Sequence, residues 1–364
     1  MSTSKIGIAC SVLLAGLPAQ QKFVSPITAA TVDGVSQNRA PFGDGIPRRY
    51  MQIHSDLGTT PRQVTKIAFR RNASEPNGTG TSSFDLELWC GPTVPYDRAS
   101  FAFGANWLQT PSRVIARKTL NFGPFTSTSN PPAFELGLAF DAAFSHSGTQ
   151  SFGWELVVHS NTVSGTFPGL FDADSGSTAV PPTPASGSGC VVTGQSAAMS
   201  HVLTAGDAYG TLQLGGYVTN APPASGTFLA LGVTDPDLAV GGLCSNLRTD
   251  LTAVIPLGNT DANGFLGGTA AGVKLPASPF AFLFANTFAG LPLYTQVHSL
   301  DAGSSWAVKV ANSEGRAVVV PAPNLVRGVR VTRLFNSDGG TLAQHSLFFA
   351  GSSVGYGLVT EFTY

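Results

Sequence analysis

The sequence predicts an all-β chain: two tandem β-sandwiches, jelly-roll or immunoglobulin-like, with a C-terminal strand segment. Three observations predict it. The 42 Gly and 25 Pro of the 364 residues, with abundant Ser and Thr, place turn signals about every 8–12 residues. Between the turns, apolar residues fall at every second position, the period of a strand with one buried face. Beyond the N-terminal run, no stretch keeps the i, i+3, i+4, i+7 rhythm of an amphipathic helix with caps at both ends.

Residues 1–20 read as a secretory signal. Lys5 precedes an apolar run, Ile6 to Leu17, and "PAQQ" offers a cleavage region near Ala19. The run is shorter than the ~20 residues a membrane span needs. Cys10 lies inside it, and Gly7-Ile8-Ala9 does not make a lipoprotein signal.

Residues 21–178 form the first expected sandwich. "QVTKIAFRRN" puts Val64, Lys66 and Ala68 on one face and Thr65, Ile67 and Phe69 on the other. "SFDLELWC" sets Phe84, Leu86, Leu88 and Cys90 against Asp85, Glu87 and Trp89. "AFELGLAF" aligns Phe134, Leu136 and Leu138, and "FGWELVVH" aligns Phe152, Trp154, Leu156 and Val158. Residues 179–189, within "STAVPPTPASGSG", are the expected linker, since Pro resists ladder pairing and the Gly/Ser tail is flexible. Residues 190–323 form the second sandwich, with strands at "GTLQLGGYV", "GTFLALGV", "TDLTAVIPL", "GFLGGTAAGVKLP", "SSWAVKVAN" and "SEGRAVVVP". Residues 324–364 are further strands, packed on the first sandwich or on a neighbouring copy. The last run places Val354, Tyr356, Leu358, Thr360, Phe362 and Tyr364 on one face.

The second block resembles a small β module at the C-termini of many exported planctomycete proteins of unknown function. The matching stretches are "NAPPASGTFLALG", "GGLCSNL", "NTDANG", "LPASPFAFLF", "GLPLYTQVHSLD" and "ANSEGRAVVV". The first block is similar to the region that often precedes that module, through "IAFRRN", "PSRVIARKTLNF" and "GWELVVHS". The resemblance implies no activity, and residues 324–364 depart from it. Three cysteines follow the signal, Cys90, Cys190 and Cys244, and an odd count in an exported chain leaves one unpaired. The resemblance aligns Cys190 and Cys244 with the module's two cysteines, which implies a disulfide between them and a spare Cys90.

Few residues carry chemistry. Charged residues are 11% of the chain, against ~25% in an average soluble domain. Net charge is −1, with Arg48-Arg49 and Arg70-Arg71 the densest basic runs, so no basic face for nucleic acid is expected. "NTDANGFLGG" alternates like a calcium loop, but its twelfth position is Ala270 where such a loop needs a bidentate Glu; a turn is expected. Asp261, with Asp172 and Asp174 of "FDADSGS", are the carboxylates calcium would have to use. "TDPD", with Asp235 and Asp237, reads as another turn. No cofactor is expected. Asp85, Glu87 and Glu155 are what a polysaccharide hydrolase would draw on, but acids on a solvated strand face explain them without catalysis, and that is the expectation. No nucleophile elbow is present, and the six His, at 54, 146, 159, 201, 298 and 345, stand singly. Asn72 and Asn77 begin glycosylation sequons.

These features point to an extracellular, non-enzymatic structural or adhesive protein. Its sharpest form is a homopolymeric filament or matrix subunit whose terminal strand (Val354, Tyr356, Leu358, Phe362, Tyr364) pairs with the next copy. The alternative is a surface-glycan binder that stacks sugars on Trp89, Tyr96 or Trp107.

Overall fold

The computed structural model describes residues 20–323, 328–335 and 354–364, apart from positions 44, 101, 164, 166, 181–184, 209, 267–268, 271–272 and 275–279. The expected signal segment, with Cys10, therefore lies outside the described residues, as does His345. The described chain is all-β, with only short 3₁₀ turns between strands. In its first part the strands are β1 (Lys22–Ser25), β2 (Ser36–Asn38), β3 (Arg48–His54), β4 (Arg62–Phe69), β5 (Ser82–Thr93), β6 (Ser112–Phe122), β7 (Leu136–His146), β8 (Ser151–Thr162) and β9 (Phe171–Ser175). Then follow β10 (Ser177–Val180), β11 (Ser200–Ala208), β12 (Thr211–Thr219), β13 (Gly226–Gly232), β14 (Ala253–Asn259), β15 (Thr269–Ala270), β16 (Val273–Lys274) and β17 (Phe280–Ala285). The last are β18 (Pro292–Leu300), β19 (Val310–Asn312), β20 (Arg316–Val319), β21 (Val331–Phe335), β22 (Tyr356–Leu358) and β23 (Thr360–Thr363).

Two antiparallel sheets face each other in the first part of the chain, β1-β23-β4-β7 and β21-β3-β8-β5-β6. The alternation read from the sequence fills the space between them. Ile67, Phe69, Leu136, Leu138 and Phe362 come from one sheet, and Phe84, Leu86, Leu88, Phe152, Trp154 and Leu156 from the other. A third sheet, β2-β9-β22, closes one end and sends Phe171 and Leu358 into the same core.

The second set of sheets is β10-β11-β12-β17 and β14-β13-β18-β19, with β20 also on β18. Leu203, Ala205, Leu212 and Leu214 of the former pack with Val318 of β20 in the latter and with Val320 just after it. A second cluster gathers Met199, Val218, Leu229, Val297 and Ala311 around the Cys190–Cys244 disulfide, whose Cα atoms are 5.7 Å apart. Cys90 is unpaired and buried in the first core, where burial pushes its thiol well above the usual range.

The terminal segment lies on its own chain. β21 pairs with β3, β22 with β9, and β23 inserts between β1 and β4. The run from Val354 to Tyr364 is also not one continuous strand. It breaks at Val359, whose N–H donates to the Asp172 carbonyl, so β22 and β23 belong to different sheets. Ala179 and Val180, read as the start of the linker, extend β10 instead. "SSWAVKVAN" is strand only from Val310, because the residues before it form turns.

β3 went unread in the sequence because both its faces are covered. Tyr50, Gln52 and His54 face the sandwich interior, whereas Met51 and Ile53 meet Tyr96 and Phe103 of the loop that crosses the sheet's outer side. A strand buried on both sides, with amide and imidazole turned inward, loses the apolar–polar alternation.

Candidate functional site

The acids a hydrolase would need are already engaged. Asp85 accepts from Arg117 at 2.6 Å, and that guanidinium holds its carboxyl below the usual range. Glu87 is 2.9 Å from His159 Nε2 and 3.7 Å from Arg113. Glu155 takes a two-pronged bond from Arg49, at 2.7 and 3.1 Å, and Arg49 itself lies over the Phe103 ring. Each carboxylate is paired with a neighbouring basic group, Asp85 and Glu87 being half-buried and Glu155 buried.

The carboxylates that calcium would have to use likewise have partners within the protein. Asp172 is fully buried, accepts from Arg70 Nε at 2.7 Å and takes the Gly34 N–H at 2.9 Å. Asp174 accepts from Thr28 Oγ1 at 2.5 Å and from the Ser175 N–H. Both therefore tie the 27–35 loop to β9. A cation at Asp172 would have to displace a guanidinium that is itself out of water. Asp261 closes a turn, with Oδ1 accepting from the N–H groups of Asn263 and Phe265, both at 2.9 Å. Gly264 completes that turn at φ +75°, and a Cβ there would strike the Ala221 carbonyl. Asp237, in the neighbouring "TDPD" turn, sits at φ 45° and pairs with Arg248 at 2.8 Å. Among the described residues no group of three or more His, Cys, Asp or Glu is arranged to hold a metal.

The aromatic platforms need correction. Tyr96 is buried in the small core beneath its loop and cannot stack on a ligand. Trp107 lies against Gly91 and Gly153, register partners on β5 and β8, where any Cβ would come within 3.1–3.2 Å of its ring. It packs on the sheet. Trp89 is half-buried on the outer face, opposite Arg113 and Glu155. The sequons also differ. Asn72 is buried and its amide donates to the Ser36 carbonyl, so a glycan there has no room, whereas Asn77 is exposed and accepts from Arg71.

A Ser, a His and an Asp do meet inside the first sandwich, which single-residue reading missed. Trp154 Nε1, which can only donate, points to His54 Nε2 at 2.9 Å, so the ring proton sits on Nδ1 and goes to Ser25 Oγ at 2.7 Å. Ser25 in turn donates to Asp56 Oδ1 at 2.5 Å. Serine stands between histidine and aspartate, not at the end of the chain, and its proton is spent on the carboxylate. Ser25 is fully buried, and burial lowers His54 to about 3, so the imidazole is not poised as a base for the serine. Gln52 extends the network, its amide donating to the Leu358 carbonyl at 2.8 Å and accepting the Leu358 N–H at 2.8 Å. The set is a polar seam joining β3 to the terminal strands.

Beside this seam lies a cleft of about 450 Å³ at one end of the sandwich. Its walls are the 54–59 loop, the β7–β8 turn at 148–151, Thr93 with Pro95 and Leu108, and Arg330. Gly148, at φ +77°, lets the β7–β8 turn press on the Thr59 carbonyl, and a Cβ there would come within 2.3 Å of that oxygen. Ser55 and Ser151 hydrogen-bond each other at 2.7 Å, which joins the two loops. Four further polar groups make no hydrogen bond or ion pair among the described residues: the Arg330 guanidinium, the Gln150 amide, the Thr59 hydroxyl and Thr93 Oγ1, the last on a residue that is 1% exposed. Leu57, Pro95 and Leu108 supply an apolar complement. No protein-family model matches the chain, and no curated protein does.

Proposed function

We propose that the chain is an exported, non-enzymatic protein of the cell surface, structural or adhesive, and that its adhesive contact is with saccharide at the cleft beside Arg330. The observation that carries this reading is a polar cleft in which the Thr59 and Thr93 hydroxyls, the Gln150 amide and the Arg330 guanidinium make no hydrogen bond or ion pair among the described residues, whereas Asp85 and Glu155 are ion-paired. Small-ligand sites span roughly 300–1,000 Å³ and combine an apolar lining with a few placed polar groups. The cleft has that size and composition. Export rests on the basic, apolar start of the sequence, and the resemblance to exported planctomycete proteins agrees with it.

A filament built by exchanging the terminal strand is the second form of the proposal. Low charge favours it by weakening repulsion between copies. The buried position of Leu358 and Phe362 in their own chain weighs against it.

The deciding experiment is binding of the purified mature protein to an array of surface polysaccharides, read alongside release of reducing ends. Binding without hydrolysis, unchanged in Asp85→Asn and Glu87→Gln, supports the reading. Turnover lost in either variant replaces it with an enzyme.

A further inference from the structure

Resting on that saccharide reading, we infer that the cleft selects acidic sugars, with Arg330 receiving the carboxylate of a hexuronate unit and Thr93, Thr59 and Gln150 its ring hydroxyls. Arg330 is exposed at the rim, and its guanidinium has no hydrogen bond or ion pair among the described residues. Burial raises the Asp56 carboxyl and the charge of Arg330 is close enough to pull it back down, but the two form no ion pair. Both Asp56 oxygens are taken, one by Ser25 Oγ and the other by the Ile27 N–H. Arg330 is also held in place from behind, since its carbonyl accepts the Ser55 N–H at 2.9 Å. A planar guanidinium with free N–H groups pairs with a carboxylate through two parallel bonds.

Thr93 supplies an independent indication. Its methyl fills the space over Gly153, where a Cβ would come within 2.4 Å of it, so the rotamer is fixed by the sheet. Its hydroxyl is left buried on the cleft wall without a partner. A buried hydroxyl without a hydrogen bond costs about 1–3 kcal/mol, which a ligand hydroxyl would recover. Gln150 and Thr59 add a donor–acceptor amide and a second hydroxyl on opposite loops, a spread suited to a ring bearing several hydroxyls. Leu57, Pro95 and Leu108 suit the apolar C–H face of a pyranose.

The test is calorimetric titration with oligosaccharides of galacturonate, glucuronate, mannuronate and guluronate, each beside its methyl ester and its neutral hexose counterpart. At least one uronate should bind, with its methyl ester ten-fold weaker or more and with affinity falling as salt rises. Arg330→Gln, at an exposed position, should lower the uronate affinity at least ten-fold and leave the ester unaffected. Thr93→Val should weaken both several-fold while leaving the free protein at least as stable as wild type, since it removes an unpartnered buried hydroxyl. If a uronate and its ester bind equally well, or Arg330→Gln changes nothing, acid selection is wrong while the saccharide reading stands. If no acidic or neutral member binds, both fail.

Discussion

Arg70 and Asp172 form an ion pair at 2.7 Å with both side chains out of solvent, 1% and 0% exposed. The second guanidinium nitrogen of Arg70 reaches the carbonyls of Ala29 and Val32, and Asp172 takes the Gly34 N–H. The bonded pair thus fastens the loop after β1 to β9 and β4, with burial pushing the Asp172 carboxyl up to about 7 against the pull of Arg70. Breaking such a pair from one side strands the buried partner at a cost of about 3–5 kcal/mol. Arg70→Met should lower unfolding stability by that amount and expose the 27–35 loop to protease. Asp172→Asn together with Arg70→Met should recover part of the loss. Urea unfolding of the three variants measures it, and an additive double variant would contradict the pairing.

Gly153 and Thr93 are coupled by space. A Cβ on Gly153 meets Thr93 Cγ2 at 2.4 Å and the Trp107 ring at 3.2 Å. Gly153→Ala should cost about 1–3 kcal/mol by overpacking. Adding Thr93→Ser removes the methyl, keeps the hydroxyl and should restore most of the stability. A double-mutant cycle in urea gives the coupling energy. No coupling would mean that Trp107, not Thr93, makes the site intolerant.

Acid should loosen both sandwiches through histidine. Burial lowers His54 and His201 to about 3, and Glu314, 4.0 Å from His201, does not offset it. Unfolded histidine takes its proton near 6.5, so from pH 6.5 down to 3 the unfolded chain binds more protons and stability falls. Asp56 acts in the opposite sense. Burial raises it to about 6, so between pH 4 and 6 the folded state keeps a proton the unfolded state has released. Its stabilising contribution is greatest near pH 4 and lost as pH rises through 6. Asp56→Asn should therefore steepen the acid limb between pH 6 and 4, and His201→Gln should flatten it below 6.5, each on the order of 1 kcal/mol per pH unit. Urea midpoints from pH 3 to 7 report both. Curves parallel to wild type would refute the assignment.

The sheet alternation was legible because most strands bury one face. Phe84, Leu86 and Leu88 against Asp85, Glu87 and Trp89 occupy the two sides that a period of two dictates. β3 was illegible because Gln52 and His54 are polar yet interior, with Leu358 and Trp154 among the distant partners that satisfy them. Those partners lie 306 and 100 residues away, so no local pattern announces them. The cleft was hidden for the same reason. Thr93, Gln150 and Arg330 each read as ordinary loop or strand-end residues until the topology brings them to one end of the sandwich. Trp107 misled in the other direction, since exposure inferred from a loop sequence ignored the two glycines that receive its ring.

The Cys190–Cys244 bond spans 54 residues, from the start of the second sheet set to the loop after β13. Closing a loop of that length restricts the unfolded chain by about 4 kcal/mol in the entropic account, and measured losses run about 2–4. Cys190→Ser/Cys244→Ser should lower the stability of the β10–β20 region by that amount, while β1–β9 stays protected in hydrogen exchange. Cys90, enclosed by the first core, should react with a thiol reagent only after unfolding. Fast labelling of native Cys90 would contradict its burial.

The terminal strand decides between self-completion and assembly. β23 lies between β1 and β4, with Phe362 edge-on to both His54 and Phe152. Removing 354–364 would take an interior strand out of its sheet, leave the β1 and β4 edges unpaired and strip Gln52 of its Leu358 partners. We expect the truncated protein to lose the first sandwich and to aggregate through the opened edges. Phe362→Ala alone should cost about 3–5 kcal/mol, as buried Phe truncations do. Adding a synthetic peptide of residues 354–364 to the truncated chain should restore native near-ultraviolet circular dichroism. That rescue would establish that the groove accepts the strand in trans, the geometric condition for a filament joined by strand exchange. A truncated chain that stays monomeric and native would place the fold's closure elsewhere and free the strand for a partner.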